Sequence, residues 1–228
     1  MSFNIAIDGP AGAGKSTIAK LLAKKIQFVY VDTGAMYRAM AYYFLTHQID
    51  ASDETALQRA CGNISIELAY ENGTQKVLLN GADISGEIRK EEVGNMASAT
   101  SGYGFVRQKL LNLQQDIAAK NNVIMDGRDI GTCVLPDAQL KVYLTASVRT
   151  RALRRYNELQ QKGEDCDLAA IEADIEKRDR QDMNREIAPL KAAKDAVILD
   201  SSDLNIDEVV EEIYQMAVKA GLPGGGIA

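Results

Sequence analysis

The sequence begins with an apolar run that leads into a glycine-rich segment and then into a helical pattern. "FNIAI" (residues 3–7) is followed by Asp8 and then by "GPAGAGKST" (residues 9–17). After Lys15, apolar residues recur at positions 18, 21, 22 and 26, which is the spacing of one helix face. This order predicts a buried strand that turns through a glycine-rich loop into a helix, as in a parallel α/β fold.

The glycine-rich segment matches the pattern G-x-x-x-x-G-K-[ST] through Gly9, Gly14, Lys15 and Ser16, with Gly12 inside the loop. Glycines suit a loop whose backbone N–H groups converge on phosphate oxygens, because a Cβ would collide there or forbid the backbone angles. The helix that follows directs its positive end at the anion. The pattern predicts that Lys15 reaches the β- and γ-phosphates of a nucleotide and that Ser16 holds Mg²⁺.

Later segments repeat the alternation of buried strands with amphipathic helices, which favours a parallel sheet flanked by helices. The predicted strands lie at residues 28–32, 122–126, 140–146 and 195–202. The predicted helices lie at 35–47, 105–120, 147–162 and 167–186, and a last helix follows residue 204.

One region departs from that alternation. Apolar residues alternate over residues 64–70, and a second strand-like run covers 74–80. Asn72-Gly73 joins the two runs, and Asn-Gly between alternating segments is a strong hairpin signal. The sequence therefore predicts an antiparallel insert over roughly residues 62–85, followed by a helix at 87–99.

Composition limits the classes of partner. The 228 residues carry a net charge of −6, so we predict no nucleic-acid partner and no membrane partner. The N-terminal "MSFNIAIDGP" lacks the charged and apolar regions of a signal peptide. The three cysteines are far apart in the sequence, which predicts free thiols and a reducing cytoplasm. The acidic surface, without an obvious apolar patch, favours a monomer.

Nucleotide-binding proteins of several classes share such a loop, and other motifs separate them. The N-K-x-D motif by which GTPases read guanine is missing from the sequence. The strand at 123–126 ends in Asp126 and continues into Gly127-Arg128-Asp129 rather than into a second acidic residue. Asp126 is a candidate to steady a metal-bound water, whereas Arg128 and Asp129 have the character of substrate-binding groups.

Arginine is concentrated in the second half of this acidic chain, at positions 149, 151, 154, 155, 178, 180 and 185. One interpretation is pairing at the surface, with Glu158 available to Arg154 and Arg155. The other is a mobile arginine lid that closes over transferring phosphates. Phosphoryl transfer needs charge neutralisation and exclusion of water, which such a lid supplies together with Lys and Mg²⁺.

Four further segments, "DTGAMYRA", "SGEIR", "DGRDIGT" and "RDRQDMNREIAPL", complete a set of motifs with the glycine-rich loop. With this set the chain closely resembles bacterial cytidylate kinases over residues 5–216. The resemblance implies an α/β P-loop NTPase fold with a five-stranded parallel sheet, an inserted small antiparallel β subdomain and a helical lid. It also implies ATP as phosphate donor, Mg²⁺, and CMP and dCMP as small-molecule substrates.

The resemblance also assigns residues. ATP is expected at Gly9, Pro10, Ala11, Gly12, Ala13, Gly14, Lys15, Ser16 and Thr17. The catalytic set is Lys15, Arg128, Arg185 and Arg155. The sugar-phosphate end of the acceptor is expected at Thr33 and Arg38, its phosphate at Arg128, its cytosine at Ser98, Arg107 and Asp129, and its ribose and phosphate at Arg178, Asp182 and Arg185. A carboxylate such as Asp129 is a natural acceptor for the N4 amino group of cytosine.

Alternatives remain for several of these residues. Asp129 or Asp182 could cap a helix or pair with an arginine, and Arg107 could be a surface residue. The family often has proline shortly before the arginine that Arg107 matches, where this chain has "GFV", and a polar residue where Met183 stands. A kinase of UMP or of a metabolite alcohol, with Asp32 or Asp129 as base, is one rival function. A regulatory protein that hydrolyses ATP slowly is another.

The implied organisation is a single kinase domain over residues 1–228. Its core would consist of residues 1–61, 102–148 and 187–220. The nucleotide-monophosphate-binding insert would occupy 62–101, and the lid with its adjoining helices 149–186.

Overall fold

A five-stranded sheet and a three-stranded sheet organise the computed structural model, which describes residues 2–71 and 74–224. Within the described residues the strands are β1 (Asn4–Asp8), β2 (Val29–Asp32), β3 (Ile66–Glu71), β4 (Thr74–Leu79), β5 (Ala82–Asp83), β6 (Val123–Gly127), β7 (Leu140–Thr145) and β8 (Val197–Asp200). The strand order is β2-β6-β1-β7-β8 in the larger sheet and β3-β4-β5 in the smaller one.

The helices account for most of the remaining described chain. They are α1 (Lys15–Ile26), α2 (Thr33–Thr46), α3 (Glu54–Cys61), α4 (Glu91–Thr100), α5 (Gly104–Lys120), α6 (Val148–Gln161), α7 (Leu168–Asn184) and α8 (Ile206–Lys219). The chain divides into two compact units, the first made of Met1–Tyr30 with Ala119–Ala228 and the second of Val31–Ala118.

Strand β1 is central in the first unit because its residues are apolar on both faces. Ile5, Ala6 and Ile7 are fully buried, and the strand pairs in parallel with β6 on one side and β7 on the other. Continuous apolar strands of this kind are typical of parallel sheets covered on both faces. The loop after β1 therefore lies at the carboxyl edge of the sheet, where open α/β folds bind their ligands.

Helix α1 fixes the position of that loop. Its apolar face buries Ile18 and Leu22 in the core formed with β1, β7 and α8. At roughly 25 cal/mol per Å² of apolar surface removed from water, each such side chain stabilises the unit by about 2 kcal/mol. The first turn of α1, which carries Lys15 and Ser16, is thus tied to the sheet.

The second unit carries the predicted antiparallel insert. Strands β3 and β4 pair in antiparallel register from Ile66 with Leu79 to Glu71 with Thr74. The predicted turn at Asn72-Gly73 lies outside the described residues. The predicted helix at 87–99 is in fact a short 3₁₀ turn (Glu87–Arg89) followed by α4, because Lys90 is extended with ψ at 147°. The predicted single helix is therefore interrupted at Lys90.

The predicted fold class is confirmed, with a five-stranded parallel sheet, flanking helices and a separate small antiparallel sheet. Helices α6 and α7 match the two predicted helices within two residues at each end. The three cysteine thiols are free, and Cys133 is exposed. In the part of the chain that is described, no helix combines the length and apolar character needed to span a bilayer.

Candidate active site

The glycine-rich loop after β1 has the backbone that its sequence requires. At Gly9 a Cβ would collide with the backbone carbonyl oxygen of Leu144 in β7, so no larger residue fits. Gly14 has φ at 87° and immediately precedes α1, a left-handed conformation that glycine adopts without strain. The N–H groups of the first turn of α1 are thereby directed into the loop, as phosphate binding requires.

Lys15 lies inside the loop rather than in solvent. Its side chain is buried, and Nζ donates a hydrogen bond to the carbonyl oxygen of Pro10 at 2.7 Å. The pKa of Lys15 is lowered to about 7, chiefly by burial and next by the positive charge of Arg128, while Asp126 and Asp8 partly oppose both effects. A phosphate in the loop would supply the missing negative charge and stabilise the ammonium.

Ser16, Asp126 and Tyr30 form a connected group beside the loop. The hydroxyl of Ser16 donates to one carboxylate oxygen of Asp126 at 2.8 Å, and Tyr30 donates to the other at 2.9 Å. Hydroxyl and carboxylate oxygens are the ligands that Mg²⁺ prefers, together with nucleotide phosphates. Among the described residues no group of three or more His, Cys, Asp or Glu side chains could hold a metal by itself. The pair of Ser16 and Asp126 therefore fits a magnesium shared with phosphates.

Arg128, Asp129, Asp182 and Arg185 come together in the first unit, although 52 residues or more separate the two pairs in the sequence. Arg128 donates from Nε to Asp182 at 2.8 Å. Arg185 donates to Asp129 at 3.5 Å and lies 4.0 Å from Asp182. Arg185 is held in turn by a 2.6 Å hydrogen bond to the carbonyl oxygen of Ala188. Two guanidinium groups and two carboxylates thus alternate in one network.

The arginines of α6 and α7 differ in the groups with which they pair. Arg155 is partly exposed and pairs with Glu158 at 3.0 Å, and Arg178 pairs with Asp174 at 3.1 Å. Arg154 instead donates to the backbone carbonyl oxygen of Ser201 at 2.6 Å. The pairing of Arg155 with Glu158 agrees with the first interpretation of the arginine-rich segment, surface ion pairs. The lid role of Arg155 stays a prediction.

Arg151 is a residue whose role the sequence did not indicate. It is 3% exposed and forms a two-pronged ion pair with Asp179 of α7, at 2.6 and 3.1 Å. The same guanidinium donates to the carbonyl oxygens of Ala11, in the phosphate loop, and Ala146, both at 2.9 Å. Charge and spacing along α6 do not distinguish Arg151 from its exposed neighbours, because the contact to Ala11 spans 140 positions.

The second unit carries the other predicted acceptor residues. Thr33 begins α2 and is buried, next to Asp32, which caps the helix by accepting from the N–H of Ala35 at 2.9 Å. Asp32 also lies 3.6 Å from Arg89 of the "SGEIR" segment. Arg38 is partly buried on α2. Thr33 and Arg38 both lie on α2, so the helix geometry fixes the distance between them.

Ser98 and Arg107 lie on α4 and α5, on either side of a tight connection. The guanidinium of Arg107 donates to the carbonyl oxygen of Ser101 at 3.3 Å and lies 5.6 Å from the centre of the Tyr37 ring. Helix α5 begins at Gly104 without a proline. The missing proline therefore does not delay the helix start, and Arg107 is in its first turn.

Comparison with known proteins extends these observations. The sequence model of a family described as cytidylate kinase matches residues 5–219. A cytidylate kinase of Caldicellulosiruptor saccharolyticus is 48% identical over 216 residues, covering 95% of this chain and 96% of that protein. A cytidylate kinase of Lactobacillus gasseri is 49% identical over 215 residues, covering 94% of each.

Similarity to solved structures concerns the fold. An uncharacterized protein from Eubacterium ventriosum superposes with a TM-score of 0.52 at 12% identity, covering 94% of this chain and 98% of that chain. At this identity the likeness shows a shared fold and nothing of substrate. The family match and the relatives at 48% and 49% identity, in contrast, cover nearly the whole chain. The chain belongs to the cytidylate kinase family.

Proposed function

We propose that this kinase transfers the γ-phosphoryl group of ATP to CMP and to dCMP, with Mg²⁺ held by Ser16 and, through a bound water, by Asp126. The observation that carries the proposal is the network of Arg128, Asp182, Arg185 and Asp129, in the unit that also contains the phosphate loop. A phosphate loop binds a donor nucleotide in many protein classes. The paired guanidinium groups are what an anionic acceptor needs in addition.

Magnesium, when bound, would neutralise charge on the donor phosphates and orient them. Ser16 and Asp126 fit this ion because their oxygens are already 2.8 Å apart and the carboxylate is buried. Lys15 lies on the same turn as Ser16 and would contact the β- and γ-phosphates. Bound phosphates would add negative charge beside Lys15 and raise its lowered pKa.

The acceptor phosphate is positioned by arginines. Arg128 and Arg185 are only partly exposed, with 29% and 10% of their side chains accessible, and neighbouring groups orient both. An α-phosphate oxygen of CMP is already ionised near neutral pH, so in-line attack on the γ-phosphorus needs no general base. Catalysis then depends on orientation and on charge stabilisation by Lys15, Arg128 and Arg185, with Arg155 as a further candidate.

Asp129, Ser98 and Arg107 are proposed to read the base. The N4 amino group of cytosine donates, whereas the corresponding carbonyl of uracil would face the carboxylate of Asp129 with lone pairs opposed. Such a mismatch disfavours UMP by about 1–3 kcal/mol, or roughly 5- to 150-fold. Arg107 would complement the O2 and N3 edge of the pyrimidine with its planar donor group.

The pairing of Asp182 supports the use of dCMP. Asp182, with Arg178, is proposed to contact the ribose, and it already accepts a 2.8 Å hydrogen bond from Arg128. Loss of the 2′-hydroxyl would therefore not leave this partly buried carboxylate without a donor. A buried acceptor that keeps a partner costs little when one ligand group is removed. Thr33 and Arg38 would hold the sugar-phosphate end of both substrates.

We further propose a monomeric cytoplasmic enzyme with no nucleic-acid or membrane partner. The net charge of −6 supports the lack of nucleic-acid and membrane partners, because an acidic protein repels polyanions and anionic lipid surfaces. Sedimentation of the purified chain at several concentrations tests the monomer. A concentration-dependent rise in mass would contradict it.

A coupled ADP-release assay with CMP, dCMP, UMP, AMP and shikimate tests the reaction. We expect kcat/KM for CMP and dCMP to exceed that for UMP at least about tenfold. Turnover that is equal for CMP and UMP would overturn the cytidylate assignment. Stimulation by shikimate but not by CMP would favour an alcohol kinase, and slow ATP hydrolysis unaffected by any acceptor would favour a regulatory ATPase.

Substitution of Asp129 tests the base-reading role. We expect Asp129→Ala to lower the preference for CMP over UMP about tenfold or more, because the acceptor for N4 is removed. Asp137→Ala is a matched control, since Asp137 is exposed a few residues beyond the same segment. An equal loss of kcat/KM on both bases in Asp129→Ala would remove the base-reading role from this residue.

A further inference from the structure

Asp8, the last residue of β1, is a buried carboxylate that the proposed reaction does not use. It is 4% exposed. One of its oxygens accepts the backbone N–H of Ile130 at 2.7 Å, and the other accepts the N–H of Gly131, also at 2.7 Å. Both bonds span more than 120 positions of sequence. Both oxygens of a buried carboxylate are thus committed to consecutive backbone amides.

These two bonds fix the peptide planes that follow Asp129. The Asp129–Ile130 peptide is held at its N–H by Asp8 and at its carbonyl oxygen by the N–H of Cys133 at 2.8 Å. Asp129 itself has φ at −147° and ψ at 26°, outside the helical and extended regions. The hydrogen bonds made by the N–H groups of Ile130, Gly131 and Cys133 restrain the backbone on the carboxyl side of this residue. Asp8 supplies that restraint directly next to the side chain proposed to read cytosine.

Asp8 also directly precedes the donor loop. It is covalently followed by Gly9, and in the sheet it lies beside Gly127 of β6 and Tyr143 of β7. Gly127 is immediately followed by Arg128, which is proposed to bind the acceptor phosphate. One side chain therefore connects the start of the phosphate loop with the turn that carries Arg128 and Asp129.

We propose that Asp8 is a positioning residue that sets the orientation of Asp129 and Arg128 toward the acceptor, an inference that rests on the proposed function. Asp8 acts through the backbone of the turn after β6 and contacts no reacting atom. Its removal should therefore weaken acceptor recognition more than donor binding. The phosphate loop keeps its own restraints, namely the close approach of Gly9 to Leu144 and the hydrogen bond from Lys15 to Pro10.

The charges around Asp8 agree with this geometry. The pKa of Asp8 is raised to about 6, chiefly by burial. The negative charge of Asp129 also raises it, whereas the two backbone hydrogen bonds and Lys15 oppose the shift. Lys141 also packs against Gly131, and Tyr143 lies beside Asp8 in β7. A buried carboxylate lowers the stability of the folded protein. The presence of Asp8 is explained if its two oxygens are needed to accept the backbone N–H groups of Ile130 and Gly131.

The test compares Asp8→Asn with Asp53→Asn, the same substitution at an exposed carboxylate that also accepts a backbone N–H. Asparagine keeps the shape but turns an N–H donor toward one of the two backbone amides. We expect KM for CMP to rise about tenfold and the preference for CMP over UMP to fall by a similar factor. KM for ATP should change less than about twofold. Asp53 accepts from Ala56 at 2.9 Å in α3, and Asp53→Asn should leave all three quantities unchanged.

Asp8→Asn with wild-type KM for CMP and wild-type base preference would overturn the inference. So would an equal loss for ATP, CMP and UMP, which indicates general destabilisation. If Asp8→Asn does not fold, Gly131→Ala serves instead, because its methyl group would lie 3.4 Å from Asp8 and 3.2 Å from Lys141. A smaller shift in the same direction is expected there, and its absence contradicts the proposal. Wild-type enzyme without CMP turnover would instead overturn the proposed function.

Discussion

The two compact units differ in how they carry charge. Among the described residues, the unit that contains the phosphate loop buries seven charged side chains: Asp8, Lys15, Asp126, Asp129, Lys141, Arg151 and Asp179. The unit over Val31–Ala118 buries one, Asp32. Burial of charge costs stability unless every group is paired. The first unit therefore accepts a folding cost in order to hold a preorganised electrostatic site, which is what phosphoryl transfer requires.

Most of the candidate acceptor residues of the second unit are in contact with solvent. Its predicted acceptor residues Arg38, Ser98 and Arg107 are partly exposed rather than buried. The hydrogen bond from Arg107 to Ser101 is 3.3 Å long, compared with 2.6 Å for the bond from Arg151 to Asp179. Partly exposed arginines keep their hydration and need no buried partner. We therefore expect substitutions of buried charged residues in the first unit to change rate or stability. Substitutions of acceptor residues in the second unit should mainly change the affinity for the acceptor.

The largest expected effect is on the rate, at Lys15. We expect Lys15→Met to lower kcat about 10³-fold, because the main cation for the β- and γ-phosphates is removed. The free energy of unfolding should not fall, since burial disfavours the ammonium in the folded protein and lowers its pKa to about 7. Single-turnover kinetics and urea denaturation measure the two quantities.

Lys24→Met is the matched control for this experiment, because Lys24 is exposed on the same helix. It should leave kcat within about twofold of wild type. A Lys15→Met enzyme with near wild-type kcat would show that the buried charges of the first unit do not drive the reaction. The reaction rate would then not depend on the buried charge of Lys15.

The next effect is on stability, at Arg151. We expect Arg151→Met to lower the free energy of unfolding by about 3–5 kcal/mol, because Asp179 would be left buried and uncompensated. The carbonyl oxygens of Ala11 and Ala146 would also lose their donor. Arg107→Met in the second unit should cost less than about 1 kcal/mol while raising KM for CMP about tenfold.

Urea denaturation of both variants, together with their KM values, separates the two roles. Arg107→Met could instead destabilise the protein as much as Arg151→Met. Partly exposed Arg107 would then be as important for folding as the buried ion pair of Arg151 with Asp179, which contradicts the expected difference between the two units. If Arg151→Met kept wild-type stability, the ion pair with Asp179 would add nothing to the fold beyond what methionine packing supplies.

The smallest of the three effects is the pH dependence of stability due to Asp8. Its pKa is raised from 3.8 to about 6, so the folded protein binds this proton more tightly than the unfolded chain does. The resulting stabilisation is present below about pH 4 and is lost as the pH rises through 6. The free energy of unfolding of wild type relative to Asp8→Asn should therefore fall by about 2–3 kcal/mol between pH 4 and pH 7. A constant difference over this range, measured by urea denaturation at each pH, would contradict the raised pKa.

Much of the fold was predictable because its signals are local. The apolar run before Gly9, the helical spacing after Lys15 and the paired runs around residues 64–80 each specify an element within a few positions. Helix α3 went unpredicted although Asp53 caps it, because its eight residues are too short for a clear period. The break at Lys90 was missed for a similar reason, since one extended residue leaves the apolar spacing of 87–99 nearly unchanged.

The sequence by itself determined the phosphate loop and the parallel sheet, because glycine positions and apolar periodicity are properties of contiguous residues. The candidate acceptor residues were assigned through the resemblance of its motifs to a known family. Only the tertiary structure decided which charges are buried and paired. The bonds from Asp8 to Ile130 and from Arg151 to Ala11 join positions more than 120 residues apart. Burial and pairing depend on which strands and helices become neighbours, and no local pattern around Asp8 or Arg151 encodes that.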